Sequence, residues 1–235
     1  MQLFYNPDIT PGTTLFLFGK EESRHIVKVL RKKEGDFIQI TNGKGSLFTS
    51  EITFANEKKC EIKITEEQFF EPAPYTLHLA VAPTKLNDRY EWFLEKAVEI
   101  GITQITPIIC EHSERVAFKA DRFEKILQAA MKQSLQYYMP KLHEPVTFTA
   151  FVKETNEGQL FITHCEETEK KLLKHALQPK QNITILIGPE GDFSTKEINL
   201  ALAQNYLPVS LGNTRLRTET AAIVAAHSVA FVNEE

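Results

Sequence analysis

The stretch Ile183-Thr-Ile-Leu-Ile-Gly-Pro-Glu-Gly-Asp-Phe193, answered by Leu211-Gly-Asn-Thr-Arg-Leu-Arg-Thr-Glu-Thr-Ala-Ala222, decides how this chain is read. Each half is a short apolar strand that enters a glycine-containing turn and continues into an amphipathic helix. Two such turns at neighbouring strand ends form a cleft of the kind in which open α/β sheets bind ligands. The spacing excludes two phosphate-binding devices. Gly188-Pro-Glu-Gly191 is a GxxG turn rather than the GxGxxG of a dinucleotide fold, and no GxxxxGK[ST] loop occurs. The turns are therefore suited to bringing backbone close to something flat and neutral.

Working outward, strand and helix signals alternate on the N-terminal side of that stretch. Leu77–Ala82, Gln104–Ile109 and Leu160–Thr163 read as strands. Tyr90–Ile100, Asp121–Tyr138 (stopped by Pro140) and Glu167–Ala176 read as helices. Beyond it come helix Thr195–Asn205, strand Val209–Leu211 and helix Glu219–Phe231. Alternation of this kind predicts a mostly parallel sheet covered on both faces.

Before Glu71-Pro-Ala-Pro-Tyr75 the pattern changes. Leu15–Phe18, Phe37–Ile40, Leu47–Phe54 and Cys60–Ile64 are short β-prone runs separated by turn residues, which predicts a small barrel or sandwich. Between the first two lies Glu21–Lys33, with Ile26, Val27, Val29 and Leu30 at near-helical spacing and Arg24, Lys28, Arg31 and Lys32 on the opposite side. The expected organisation is a domain at 1–70 and a second at 75–235.

The 235 residues are 42% hydrophobic and 25% charged, as in ordinary globular proteins. The longest mostly apolar run, Ala221–Val232, is broken by His227 and Ser228 and falls short of the ~18 residues of a membrane span. With no leader-like N-terminus, the expected location is the cytoplasm and no membrane partner is expected. Cys60, Cys110 and Cys165 are widely spaced and never form CxxC, so neither a disulfide framework nor a metal site is expected, and each is read as a small buried side chain. A net charge of −4 argues against coating nucleic acid by charge alone. Yet residues 1–63 carry an excess of two positive charges, and Arg115, Lys119, Arg122, Lys125, Lys132 and Lys141 cluster against only Asp121 and Glu124. Two basic zones in an acidic protein fit a directed RNA contact, or solvated helix faces.

The combination Ile187-Gly-Pro-Glu-Gly191, Leu211-Gly212 and Leu216-Arg-Thr-Glu-Thr-Ala221 resembles the SPOUT methyltransferases and, within them, the RsmE family. His25-Ile-Val-Lys-Val-Leu-Arg31 with Gly35-Asp36, Glu95-Lys-Ala-Val-Glu-Ile-Gly101 with Ile105-Thr-Pro107, and Gln133-Ser134 with Pro140 extend the resemblance over residues 20–227. It implies a C-terminal α/β domain tied in a trefoil knot, preceded by a PUA-like β-barrel that binds RNA. It also implies S-adenosylmethionine as cofactor and methylation of N3 of a uridine in 16S rRNA, in helix 44 near the decoding centre, on the small ribosomal subunit. A symmetric homodimer with the Ala-rich terminal helix near its interface is a further implication. Ribose 2′-O-methylation of tRNA or rRNA is the alternative chemistry, and a non-catalytic RNA-binding assembly factor the alternative class.

The resemblance assigns cofactor contact to Thr163, His164, Ile187, Gly188, Pro189, Glu190, Gly191, Leu211, Gly212, Leu216, Thr218, Thr220 and Ala221. Glycines in the turns are expected where a side chain would obstruct the ligand. Uridine N3 carries a proton, so methylation requires that proton to leave while charge on the ring carbonyls is stabilised. Arg217, just before the last helix, is assigned that polarising role; it cannot be the base, because a guanidinium stays protonated. Glu219 is a candidate proton acceptor or a first-turn helix carboxylate, Glu190 has the same ambiguity, and loss to solvent is equally compatible. RNA contact is expected from Arg24, His25, Lys28, Arg31, Lys32 and Arg115, with a packing role open for His25. Two departures from the family pattern stand out: Thr214 where a basic residue is common, and Leu135-Gln-Tyr-Tyr-Met139 where arginines are. Tyr137 and Tyr138 either stack on bases or pack.

Overall fold

A computed structural model describes residues 2–114, 118–154 and 157–234. It divides into two compact units, residues 1–72 with 131–139, and residues 73–130 with 140–235. The expected domains at 1–70 and 75–235 differ from this division by the excursion of 131–139, which belongs with the first unit.

In the first unit, strands β1 (Leu3–Tyr5), β2 (Leu15–Leu17), β3 (Phe37–Thr41), β4 (Ser46–Phe54) and β5 (Glu61–Phe69) form one sheet in the order β1-β3-β4-β5-β2. Pairing is antiparallel except for β1 on β3. Two register shifts along β4 and β5 curl the sheet around Phe4, Ile9, Phe18, Ile40, Phe48 and Ile62. Helix α1 (Lys20–Arg24) runs into a π-helical turn, His25–Val29, closed by Leu30 N–H donating to His25 O at 3.0 Å. The wider turn buries Ile26 but rotates Val29 outward, where it is 65% exposed, contrary to the regular helix expected over 21–33.

The second unit has a sheet in which every pairing is parallel. Its elements are β6 (Leu77–Val81), α2 (Asn87–Ile100), β7 (Gln104–Ile109), α3 (Ala120–Gln133), β8 (Lys141–Leu142), β9 (Val146–Thr147), α4 (Phe148–Lys153), β10 (Gln159–Thr163), β11 (Lys171–Leu172), α5 (Leu173–Ala176), β12 (Ile183–Ile187), α6 (Thr195–Ala203), β13 (Leu207–Ser210) and α7 (Thr218–Asn233). The order is β11-β13-β10-β12-β6-β7-β8, with β9 also on β7. Strand β12 is buried along its whole length, which is why it reads as an unbroken apolar run. Leu186 packs with Phe148, Phe151, Phe193 and Ile198 from the α4 and α6 side. By alternation Ile185 and Ile187 face the other side, where α7 lies against β6, β12 and α2.

Three expectations about elements are corrected. The helix read as Asp121–Tyr138 stops at Gln133, because Leu135 adopts φ 57° and Gln136 N–H turns back to Met131 O. The residues beyond serve the first unit's packing: the Tyr137 ring stacks on Phe70 at 4.3 Å, and Tyr138 OH donates to Phe70 O at 2.8 Å. Helix Glu167–Ala176 is replaced by a loop, a two-residue strand and one helical turn. Lys170 Nζ bonds the carbonyls of His164 and Glu166 at 2.7 and 2.6 Å and curls the segment back on itself. Helix α4 was not expected; Thr147 caps it by accepting Ala150 N–H at 3.2 Å.

Candidate functional site

After β10 the chain goes to β11 at the edge of the sheet, returns through α5 to β12 on the other side of β10, and then crosses back to β13, which lies between β11 and β10. Loops leaving the C-terminal ends of β12 and β13 therefore flank the end of β10, which is the switch-point geometry in which parallel sheets hold ligands. They enclose a cavity of about 670 Å³, within the ~300–1,000 Å³ usual for small-molecule sites.

Each wall comes from one loop. The end of β10 contributes Thr163, His164 and Cys165, with Lys170 from the curled segment behind. The end of β12 contributes Ile187, Gly188, Pro189, Glu190 and Asp192. Strand β13 and its loop contribute Val209, Ser210, Leu211, Gly212, Asn213 and Thr214, and Arg215–Thr218 with Ala221 close the cavity at the start of α7. Of the expected cofactor residues, Gly191 and Thr220 do not line it, and neither does Glu219. Residues that sequence reasoning missed are Cys165, Lys170, Asp192, Val209, Ser210, Asn213, Thr214 and Arg215. Lys170 and Asp192 could not have been found from spacing, since both enter through tertiary hydrogen bonds.

The turn after β12 is braced from several loops of the same unit. Glu190 Oε1 accepts Lys85 N–H at 3.0 Å, and Thr218 OH donates to Gly188 O at 3.0 Å. His112 Nδ1 lies 3.2 Å from Gly191 O and 3.1 Å from Asp192 O; both are acceptors, so the ring nitrogen donates. A Cβ at Gly191 would meet His112 Cβ at 3.1 Å and one at Gly188 the Phe193 ring at 3.1 Å. These two glycines thus admit close protein neighbours. Gly212 differs: its φ is 145° with open space around it.

His164 is 8% exposed, and its Nδ1 is buried with no protein partner. Burial, reinforced by the nearby Lys170 ammonium, lowers its pKa and keeps the ring neutral. Cys165 is exposed rather than buried as expected, yet desolvation and Asp192 raise its pKa, so the thiol stays protonated and is a poor nucleophile. Arg217, at the N-cap of α7, is exposed and faces the cavity. Glu219 is 7% exposed and points elsewhere: one oxygen lies 3.8 Å from Arg89 Nε on α2, and the other is buried without a hydrogen bond.

Of the residues expected to meet RNA, Arg24, Lys28 and Arg31 are exposed on the first unit. His25 is half-buried with its ring 6.0 Å from Phe4, and Lys32, also half-buried, donates its Nζ–H to Phe37 O at 3.3 Å. Arg115 lies outside the described residues. Among the described residues no helix is long and apolar enough to cross a membrane, and no cluster of three metal-ligating side chains occurs.

The cleft at a parallel-sheet switch point, in a chain that also carries a small β unit, has counterparts in known proteins. A family model for an RNA methyltransferase domain matches residues 71–230, and one for an RNA methyltransferase PUA domain matches residues 18–65. Fold and cleft thus define an RNA methyltransferase. The ribosomal RNA small subunit methyltransferase E of Buchnera aphidicola subsp. Schizaphis graminum is 31% identical over 214 residues, covering 88% of this chain and 86% of the relative. A crystal structure of a probable rRNA-methyltransferase from Porphyromonas gingivalis superposes with a TM-score of 0.92 at 36% identity, covering 99% and 98% of the two chains. A ribosomal RNA small subunit methyltransferase E from Neisseria gonorrhoeae, bound to S-adenosyl methionine, superposes with a TM-score of 0.88 at 25% identity over 99% and 98%. The chain belongs to the ribosomal RNA small subunit methyltransferase E family.

Proposed function

We propose that this protein transfers a methyl group from S-adenosylmethionine to N3 of a uridine of 16S rRNA, in helix 44 of the small ribosomal subunit. The observation that carries the reading is the convergence of three strand-end loops on one cavity, with Arg217 facing it from the start of α7. The lining fits such a cofactor. Ile187, Val209, Leu211, Leu216 and Ala221 supply apolar surface, turn backbone supplies donors and acceptors, and the orphaned Nδ1 of His164 is a buried polar group that lacks a protein partner.

S-adenosylmethionine supplies an electrophilic methyl group on a sulfonium. N3–H breaks, an N3–methyl bond forms, and the sulfur–methyl bond breaks to leave a neutral thioether. The chain's part is charge management. As N3 loses its proton, negative charge spreads to the ring carbonyls, where the Arg217 guanidinium and the positive end of α7 stabilise it. Glu219 is engaged with Arg89 and Glu190 with Lys85 N–H, so the proton passes to solvent in this reading. Arg24, Lys28 and Arg31 hold phosphates and orient the RNA. A homodimer belongs to the same proposal: α2 and α7 pack together and expose Trp92 and Phe231.

The test is nucleoside mass spectrometry on small subunits lacking the modification, incubated with the protein and S-adenosylmethionine beside naked 16S rRNA. New 3-methyluridine in the particles supports the proposal. A 2′-O-methylated nucleoside in its place, or no methylation of either RNA, overturns it.

A further inference from the structure

Asp192 stands where the backbone calls for glycine. Its φ is 64°, in the left-handed region that a side chain ordinarily disfavours and that Asp and Asn tolerate better than most. Its own N–H closes the tight turn by donating to Pro189 O at 2.9 Å. The side chain spans two loops. Oδ2 accepts the N–H of Cys165 at 2.7 Å, at the end of β10, while Oδ1 accepts the N–H of Phe193 at 2.9 Å. A second stitch lies beside it, Thr195 OH donating to Glu166 Oε1 at 2.7 Å. Within the strands Thr163 OH also ties the end of β10 to β12, donating to Leu186 O at 3.0 Å, but the Asp192 carboxylate joins the two turns themselves, and glycine in this position would leave the Cys165 amide without it.

We infer that Asp192 is a positioning residue whose carboxylate locks the turn after β12 to the turn after β10, fixing the gap between two walls of the cavity and so its affinity for the methyl donor. The inference rests on the proposed use of S-adenosylmethionine. The bond is charge-assisted and short, the strong kind. Both tied segments, Gly188–Asp192 and Thr163–Cys165, contribute to the cavity wall, so releasing the tie lets the walls move independently and adds an ordering cost to binding.

Three variants separate this role from a merely structural one, with the dissociation constant for S-adenosylmethionine measured by calorimetry and Tm measured on the same samples. Asp192→Gly removes the tie but also the unfavourable φ, so it is expected to hold or raise Tm while weakening donor binding about tenfold or more. Asp192→Ala removes the tie and keeps the unfavourable φ, so it loses affinity to the same extent and lowers Tm as well. Asp192→Asn tolerates the backbone and retains one acceptor oxygen, and falls between parent and glycine in affinity. In turnover the loss is expected in KM for the donor more than in kcat. A glycine variant that binds the donor as tightly as the parent overturns the inference, as does affinity that follows Tm across the three variants. A parent protein that binds no S-adenosylmethionine overturns the methyl-donor reading, and this inference with it.

Discussion

Arg217 and Glu219 sit two residues apart at the start of α7, and helical geometry sends them in different directions: one faces the cavity, the other the Arg89 side chain on α2. Arg217→Ala is expected to lower the methylation rate by about 10²–10³, the usual cost of one transition-state charge stabiliser, while leaving S-adenosylmethionine affinity within about twofold. An equal loss of donor affinity in calorimetry would show that Arg217 holds the cofactor instead. Glu219→Gln should keep the parent's pH–rate profile, since its carboxylate is turned away from the cavity. Disappearance of an acidic limb in that profile would restore it as the base. Glu219→Ala is expected to cost about 1 kcal/mol in urea unfolding, less than a tightly paired buried ion, because the 3.8 Å separation is long and Arg89 is partly exposed. The residue types were legible in the sequence as candidates, but their orientations were not. Arg89 is remote in the chain, and only the packing of α2 on α7 reveals it as Glu219's partner.

At the scale of elements, legibility followed how self-sufficient each signal was. Strand β12 announces itself because burial on both faces requires an unbroken apolar run. Helix α6 does so because Ser194 and Glu197 form a capping box: Ser194 Oγ accepts Glu197 N–H at 3.3 Å and Glu197 Oε2 accepts Ser194 N–H at 2.9 Å. Where tertiary bonds decide, local pattern misleads. Residues 134–138 carry helix-compatible side chains, yet Tyr137 and Tyr138 are drawn to Phe70, and 167–170 fold around the Lys170 ammonium instead of continuing a helix. The cavity was foreseeable as two glycine turns, with Thr163 and His164 on its third wall; the Lys170 segment behind them was not. Ser194→Ala should therefore cost about 1 kcal/mol and lower Tm by about 2–4 °C, as read by thermal denaturation. An unchanged Tm would mean that Glu197, which also accepts Glu111 N–H at 2.9 Å, holds the helix start unaided.

For the molecule as a whole, buried histidines make acid a condition that weakens its larger unit. His78 on β6 is held between the His143 ring at 5.3 Å and Phe151 at 5.3 Å, with Nε2 2.7 Å from Thr106 Oγ1. Burial lowers its pKa to about 4, with His143 and Lys141 acting in the same direction, and burial lowers that of His143 too. The unfolded chain takes up a proton at His78 near pH 6.5, whereas the folded protein resists it until about pH 4. The unfolded state thus binds more protons across that window. The stability contribution is fully present above about pH 6.5 and is lost as pH falls toward 4, with an upper bound of about 3 kcal/mol for His78 alone. Because this ring lies within the parallel sheet that also carries the cavity, the loss is expected to take fold and donor binding together. Urea unfolding of the parent at pH 7 and pH 5 should show the decline, and His78→Gln, which keeps a polar partner for Thr106 but cannot titrate, should flatten it. Equal slopes of stability against pH in parent and variant would remove His78 as the cause and leave the acid limit to His143, His164 and the carboxylates.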